Sequence, residues 1–429
     1  MERYDSYKDS GVEWIGNIPS HWERKRFSYS FNIQKGKIPK ELEDVRGDES
    51  LPYLSMSVLR GEEPNEFSSG DGLVIVDIND IGLLWDGSNS GEVLKVNQRG
   101  ILSSTVSHVS LKDINLTKGF SFYLLKVYEK DFKNNTVGMG IPHVDGDHVK
   151  ESKILIPPIS EQQQIVSFLD TKTSLIDSLI EKTQRKIELL KEKRTSLINE
   201  VVTKGLNPNV EMKDSGVEWI GEIPIGWEIT KMKFEVEIFG RIGFRGYTTD
   251  DIVNEGEGVI TISPSNIKND VFNLENRTYL SWEKYHESPE IKIFKDDIIL
   301  VKTGSTIGKT SIIPDGVPEM TINPQLVVLK NVKLFPKFLH YQTTCKFIKE
   351  SFDIEQTGST TPTISQEKVN DFPLVKPPLS EQKQITEYLD EQTQLIDKTV
   401  SIEEKRIELL KEYRQSLISE VVTGKRKVV

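Results

Sequence analysis

With 429 residues, 36% hydrophobic and 28% charged, the chain has the size and balance of a globular protein of two or three domains. No apolar run reaches the roughly 20 residues that cross a bilayer, and the polar opening "MERYDSYKDSG" lacks the apolar stretch of a secretory signal. The single cysteine, Cys345, excludes a disulfide framework or a multi-cysteine zinc site and points to a reducing cytoplasm; the net charge of −11 argues against a uniformly basic nucleic-acid binder while leaving room for local basic patches.

The first element in chain order is the block "KDSGVEWIGNIPSHWE", Lys8–Glu23. It returns as "KDSGVEWIGEIPIGWE", Lys213–Glu228, with 13 of 16 positions identical. After each copy comes a stretch that is not repeated closely, Arg24–Ile156 and Ile229–Lys376. Within these, "GLVIVDINDIGLLW" and "DDIILVKTG" are short β-branched runs bounded by Gly, Asn and Asp, which predicts strands. "TKGFSFYLLKVYEKDF" and "PKFLHYQTTCKFIKESF" carry apolar residues at helical spacing, so each variable stretch reads as a mixed α/β domain.

Each half ends on a second repeated block. "PPISEQQQIVSFLDTKTSLID" from Pro157 matches "PPLSEQKQITEYLDEQTQLID" from Pro377, and the likeness runs on through "IELLKEKRTSLINEVVT" and "IELLKEYRQSLISEVVT". Identity of 27 in 49 positions is too high for convergent propensity, so the chain is an internal duplication. Residues spaced alternately by 4 and 3 run from Leu169 through Thr173, Ile176, Ile180, Thr183, Ile187, Leu190, Arg194 and Leu197 to Val201. The second copy repeats this from Leu389 to Val421, and seven of ten are apolar in each. Sustained heptads predict a coiled-coil helix over residues 161–203, roughly 65 Å long, with Ser160 or Ser380 as its N-cap. Two such helices in one chain bury both seams most economically against each other, with Arg194 and Arg414 snorkelling or meeting carboxylates.

No catalytic constellation appears. The six histidines lack metal-ligand spacing, and no His-Glu-x-x-His or Gly-x-Ser-x-Gly motif is present. "TGSTIGKT", Thr303–Thr310, has three residues between Gly304 and Gly308 where a phosphate-binding P-loop needs four, so nucleotide hydrolysis is set aside.

Two loop pairs at matched offsets are the candidate recognition sites. Gly87, Ser88, Asn89 and Gly91 stand 217 positions before Gly304, Ser305, Thr306 and Gly308, with Lys309 following. Gly138 and His143 stand 220 positions before Gly358 and Thr363, with Ser359 and Thr360 between these. Glycines let backbone approach a ligand closely, and small hydroxyl and amide side chains suit phosphates and base edges. Arg241 and Arg245 in "GRIGFRG" are further candidates for phosphate contact. Against this stands the plain reading of both loops as turns between strands. The charge is also unhelpful, since Arg24–Ile156 holds 17 basic against 19 acidic residues and Ile229–Lys376 holds 18 against 20.

On "DSGVEWIGNIPSHWE" and "DSGVEWIGEIPIGWE", "PPISEQQQIVSFLD" and "PPLSEQKQITEYLD", the shared helix ends and "TGSTIGKT", the chain resembles the specificity subunit of a Type I restriction-modification enzyme along its whole length. The resemblance implies an α/β (α+β) fold with two target recognition domains and two long antiparallel coiled-coil helices related by a pseudo-two-fold. The expected layout is residues 1–156 for the first recognition domain, 157–212 for the first long helix and linker, 213–376 for the second recognition domain, and 377–429 for the second long helix. It further implies a non-catalytic, cytoplasmic subunit reading an asymmetric bipartite double-stranded DNA target. Its expected partners are two methyltransferase subunits and restriction subunits, which would hold S-adenosylmethionine, ATP and magnesium, with none of these in this chain and no membrane partner. The alternatives are a scaffold or dimerisation protein that does not bind DNA, and the specificity subunit of a related bifunctional restriction system.

Overall fold

The computed structural model describes residues 3–69, 72–241, 243, 246–358 and 361–428. The chain forms two compact units. One takes Met1–Gln184 with Lys405–Val429, and the other takes Arg185–Glu404. Two long helices, Ile159–Lys204 and Leu379–Val422, each contribute one part to each unit.

In the first unit a four-stranded antiparallel sheet runs in the order Phe31–Lys35, Val106–Leu111, Ile81–Leu84, Val93–Lys95. Its strands alternate between two cores, as a pleat of period 2 requires. Ile81, Leu83, Val93 and Val109 join Phe120, Leu124 and Phe132 of the helix Lys118–Asn134. Leu84, Leu94 and Val106 turn the other way, onto Leu54, Val76 and Leu102 of a second, smaller sheet.

The second unit repeats this plan. Its main sheet has the order Glu237–Gly240, Leu326–Lys330, Ile298–Val301, Thr310–Ile312. Ile298, Leu300, Val327 and Leu329 face the helical core, while Ile299, Val301, Leu326 and Val328 face Ile260, Ile262 and Ile322 of the other sheet. The smaller sheets share one parallel pair, Leu51–Leu54 with Gly100–Leu102 and Gly258–Ile262 with Met320–Ile322. They differ in which strands flank that pair, as the divergent sequences require.

The repeated blocks are fasteners. Strand Glu23–Arg26 pairs with Lys153–Ile156, and Glu228–Lys231 with Pro373–Lys376, so each variable stretch leaves and returns at one place. The buried Trp22 donates its indole N–H to Glu161 at 2.9 Å, and Trp227 donates to Glu381 at 2.9 Å, pinning each block to the first turn of a long helix. Gln162 bonds the carbonyls of Asn115 and Pro157 and takes the amide of Thr117; Gln382 bonds the Pro377 carbonyl and takes the amide of Phe335. Tyr123 donates to Asp170 at 2.6 Å and Tyr341 to Asp390 at 2.9 Å, tying the domain helix of each unit to its long helix.

The long helices run antiparallel, as the resemblance implies. Within the second unit Lys186 meets Glu403 at 2.5 Å and Arg194 meets Asp397 at 3.0 Å, so numbers rise on one helix as they fall on the other. Within the first, Arg414 forks onto both oxygens of Asp177 at 2.9 and 3.2 Å. Both heptad arginines therefore meet carboxylates. Leu169, Thr173, Ile176, Thr183, Ile187 and Val201 are buried, as the heptad reading expects.

Two local expectations are corrected. The long helices begin at Ile159 and Leu379, so Ser160 and Ser380 lie inside the first turn and do not cap it. The helix opens directly behind Pro158, whose carbonyl takes the amide of Gln162 at 3.0 Å. "PKFLHYQTTCKFIKESF" forms two helices, Pro336–Thr344 and Lys346–Glu355, with Cys345 extended between them. Thr343 and Thr344 turn their hydroxyls back to the carbonyls of His340 and Tyr341, competing with the helical ladder. The amide freed at Lys346 is taken by Asn199 at 2.6 Å. No described helix is long and apolar enough to cross a membrane.

Candidate nucleic-acid interface

The residues singled out in the sequence as two separate loops per half form one constellation in each unit. In the first unit the chain leaves strand Ile81–Leu84 and turns at Gly87, whose φ is +115°, before Val93–Lys95 returns antiparallel. A hairpin of Thr136–Val137 and His143–Val144 lies against this turn. Asp86 and His143 make an isolated β-bridge, and the Gly87 amide donates to the Pro142 carbonyl at 3.0 Å.

The second unit uses the same bonds. Gly304, with φ +106°, donates its amide to the Pro362 carbonyl at 2.8 Å, and Thr303 bridges Thr363. The turn closes through Ile307 N–H to Gly304 and Gly308 N–H to Val301, as Ser90 closes on Gly87 and Gly91 on Leu84 in the first unit. "TGSTIGKT" thus joins two antiparallel strands, with no helix following it, which agrees with setting aside a P-loop.

The side chains on this common scaffold differ. In the first unit Asp86 is held at 2.6 Å by Lys35 and at 2.6 Å by His143. Burial pulls the Asp86 carboxyl up, but the Lys35 ammonium and the His143 ring outweigh it and hold the group below the usual carboxylate range. In the second unit the matching position is Thr303, whose hydroxyl meets that of Thr363 at 2.9 Å. Trp85 in the first unit is replaced by Lys302 in the second. Lys302 is partly buried, burial pushes its ammonium down, and it forms no ion pair among the described residues.

The other sequence candidates divide into three groups. Ser88, Asn89, Ser305 and Lys309 are exposed at the turns, with Thr306 partly exposed, and Gly138 and His143 are exposed on the first hairpin. Gly91 and Gly308 have packing work of their own. A Cβ on Gly91 would lie 2.8 Å from the backbone of Lys133, and one on Gly308 would lie 3.3 Å from the Phe352 ring. Arg241 is 6% exposed, bonds the Ile322 carbonyl and the Thr321 hydroxyl at 3.2 Å each, and lies over the Tyr247 ring, so its guanidinium serves the sheet interior. Arg245, Ser359 and Thr360 lie outside the described residues.

Lys35, Asp86, Lys302 and Thr303 were not singled out in the sequence. The matched offsets that paired the glycines also pair Asp86 with Thr303 and Trp85 with Lys302, so the signal for three of them was one or two positions away. Among the described residues, no cluster of His, Cys, Asp or Glu gathers as a metal site would.

A family model for the Type I restriction modification DNA specificity domain matches residues 19–189 and again 237–412. The MjaVIII specificity subunit of a type I restriction enzyme from Methanocaldococcus jannaschii is 30% identical over 418 residues, covering 96% of this chain and 94% of that protein. The EcoBI specificity subunit from Escherichia coli is 21% identical over 350 residues, covering 79% of this chain and 69% of that protein. Among solved structures, a chain of a type I R-M system studied for its complex assembly and conformational transition has a TM-score of 0.71 at 16% identity, covering 95% of this chain and 99% of that one. The HsdS subunit from Thermoanaerobacter tengcongensis has a TM-score of 0.51 at 16% identity, covering 95% and 98%. These two likenesses speak for the fold. With one matched range in each half of the duplication, and a relative aligned along nearly its whole length, this chain belongs to the Type I restriction-modification specificity family and is a subunit that recognises DNA sequence.

Proposed function

We propose that this chain reads an asymmetric, bipartite DNA target, one half-site through each unit, and positions catalytic partners without catalysing a reaction itself. One observation carries the reading. The two tip constellations are built on the same backbone bonds, Gly87 to Pro142 and Gly304 to Pro362, yet present different chemistry, an ion cluster in one and hydroxyls beside a half-buried lysine in the other. A common scaffold with unlike side chains is what reading two different sequences requires. The weak net charge of the variable stretches then matters less, because a few placed side chains and partner contacts supply the affinity.

The partners fit the repeated frame. The long helices carry leucines outside their buried seam, at matching places in the two copies. Leu175 and Leu409 are exposed in the first unit, as are Leu189 and Leu395 in the second. On each helix these leucines fall on the same heptad position, directly before a buried or half-buried seam residue, so each unit offers exposed apolar side chains on its helices. Two equivalent sets suit two copies of one partner, which we take to be the methyltransferase subunits; restriction subunits join through them. S-adenosylmethionine, ATP and magnesium belong to those subunits in this reading, and the site of action is the cytoplasm. The helices fix the half-site separation.

Methylome sequencing of a host expressing this chain with its cognate methyltransferase tests the reading. One bipartite, non-palindromic adenine-methylation motif is the expected result. A stable complex that adds no motif would leave the chain as a scaffold. Inserting one heptad before Ile187 should change the spacer or abolish binding, and an unchanged spacer would rule out the helices as the ruler.

A further inference from the structure

We propose that Met139 and Ile141, at the tip of the hairpin Thr136–Val144, read the 5-methyl group of a thymine in the half-site engaged by the first unit. This rests on the reading that the paired tips face DNA.

Met139 is 107% exposed, Ile141 62% and Val137 51%, so three apolar side chains crowd the end of one short hairpin with no core to serve. The arrangement is built. Gly138 and Gly140, at φ +107° and +108°, flank Met139 and push it outward. A Cβ on Gly138 would lie 2.8 Å from the Ile141 carbonyl, so only glycine closes this tip. The root is fixed by the Gly87 amide on Pro142 and by the His143–Asp86 contact, which places the apolar tip beside the exposed Ser88 and Asn89. The matching tip of the second unit offers Thr357, Thr361 and Thr363 and lacks this apolar group.

Water-exposed apolar surface kept on a ligand-facing loop needs an apolar counterpart. On a duplex, the apolar group presented at the base edges is the thymine methyl in the major groove. Apolar residues, Met and Ile among them, also act as wedges between base pairs, a use that must unstack the step it enters. Met139 is unbranched, sits between two glycines, and has nothing within 4 Å of the Cβ position of Gly140. Such a flexible side chain moulds itself readily to a methyl group, and the 2-aminopurine measurement below separates this use from a wedge.

The test uses the complete complex of this chain with its methyltransferase partner, and duplexes carrying the target found by methylome sequencing. Each half-site thymine is replaced in turn by deoxyuridine, which removes only the methyl group. One replacement, in one half-site, should weaken binding about fourfold, the worth of one buried methyl-sized group. The variant carrying Met139→Ala and Ile141→Ala should bind the thymine and deoxyuridine duplexes alike, while Met139→Leu keeps the difference. Both variants should melt as the parent does, since the tip carries no core contacts. The inference is overturned by a half-site without thymine, by a deoxyuridine effect that survives in the double alanine variant, or by 2-aminopurine unstacking that depends on Met139 with no deoxyuridine effect. If exchanging either tip leaves sequence preference unchanged, the DNA-facing reading itself fails. Preference that follows the tips without any response to deoxyuridine overturns only the methyl contact.

Discussion

The two tip constellations share their backbone and almost none of their chemistry. In the first unit Lys35, Asp86 and His143 form a small ionic cluster under an apolar hairpin tip. In the second, Thr303 and Thr363 share a hydroxyl contact beside Lys302. Beneath them the frame scarcely varies, since Trp22 and Trp227 make the same bond to Glu161 and Glu381 at the same length. Backbone hydrogen bonds hold the tips in place, so the side chains above are free to diverge. The frame's own side chains are its bonds, and those have stayed.

The largest effect should come from the shared frame. Trp22→Ala and Trp227→Ala each remove a buried indole, at a cost of about 3–5 kcal/mol, although Glu161 keeps Tyr4 and His21 as partners when Trp22 is lost. Urea denaturation should show both variants similarly destabilised. A large difference between them would break the equivalence of the two frames.

Lys302→Met comes next and should move two quantities in opposite directions. Target binding should weaken by about 1–3 kcal/mol if Lys302 reaches a base edge, with sequence preference relaxed in one half-site only. The thermal midpoint of the chain alone should rise, because burial disfavours the ammonium. The cost is fully present below the depressed folded pKa and fades as pH rises from there towards the unfolded value near about 10.4. A lower midpoint would show that Lys302 is a structural residue.

Asp86→Asn against Thr303→Val sharpens the contrast between ionic and hydroxyl tips. Asp86→Asn should cost about 1 kcal/mol at pH 7, after discounting for partial exposure. Because the folded carboxyl lies below its ordinary range, its contribution is present above an unfolded pKa of about 4 and is lost as pH falls through the folded value. Parent and variant should therefore converge in acid. Thr303→Val should cost about 0.5–1 kcal/mol equally at both ends of that range, since no proton is involved. Convergence in both pairs would mean that acid unfolding is set elsewhere.

The smallest effect belongs to the exposed helix pairs. Asp177→Asn and Asp397→Asn should each cost about 0.2–1 kcal/mol, less in high salt. Equal losses would support matched seams, and a loss confined to one would distinguish the forked Arg414 pair from the Arg194 pair.

Much of the architecture was legible in the sequence because it is periodic or repeated. The heptads named the buried seam, and two copies of it named its partner. The matched offsets found both loops of each tip. What they could not supply was the bond between loops more than 50 residues apart, since Gly87 and Pro142 meet only after the sheet has formed. Arg241 shows the same limit at a single residue, because a guanidinium reads alike whether it faces a phosphate or a strand carbonyl. The break at Cys345 was hidden because hydroxyl competition and the capping by Asn199 depend on where the neighbouring helix passes.

The division of the long helices bears on the ancestry of the chain. Each unit takes the opening of one helix and the closing stretch of the other, with the boundaries at Gln184 and Glu404. A polypeptide carrying a single repeat would therefore hold most of one unit but lack the helix end that completes it. Two copies exchanging their helix ends would restore both. Such an assembly would carry identical tips, whereas the single duplicated chain holds two that differ.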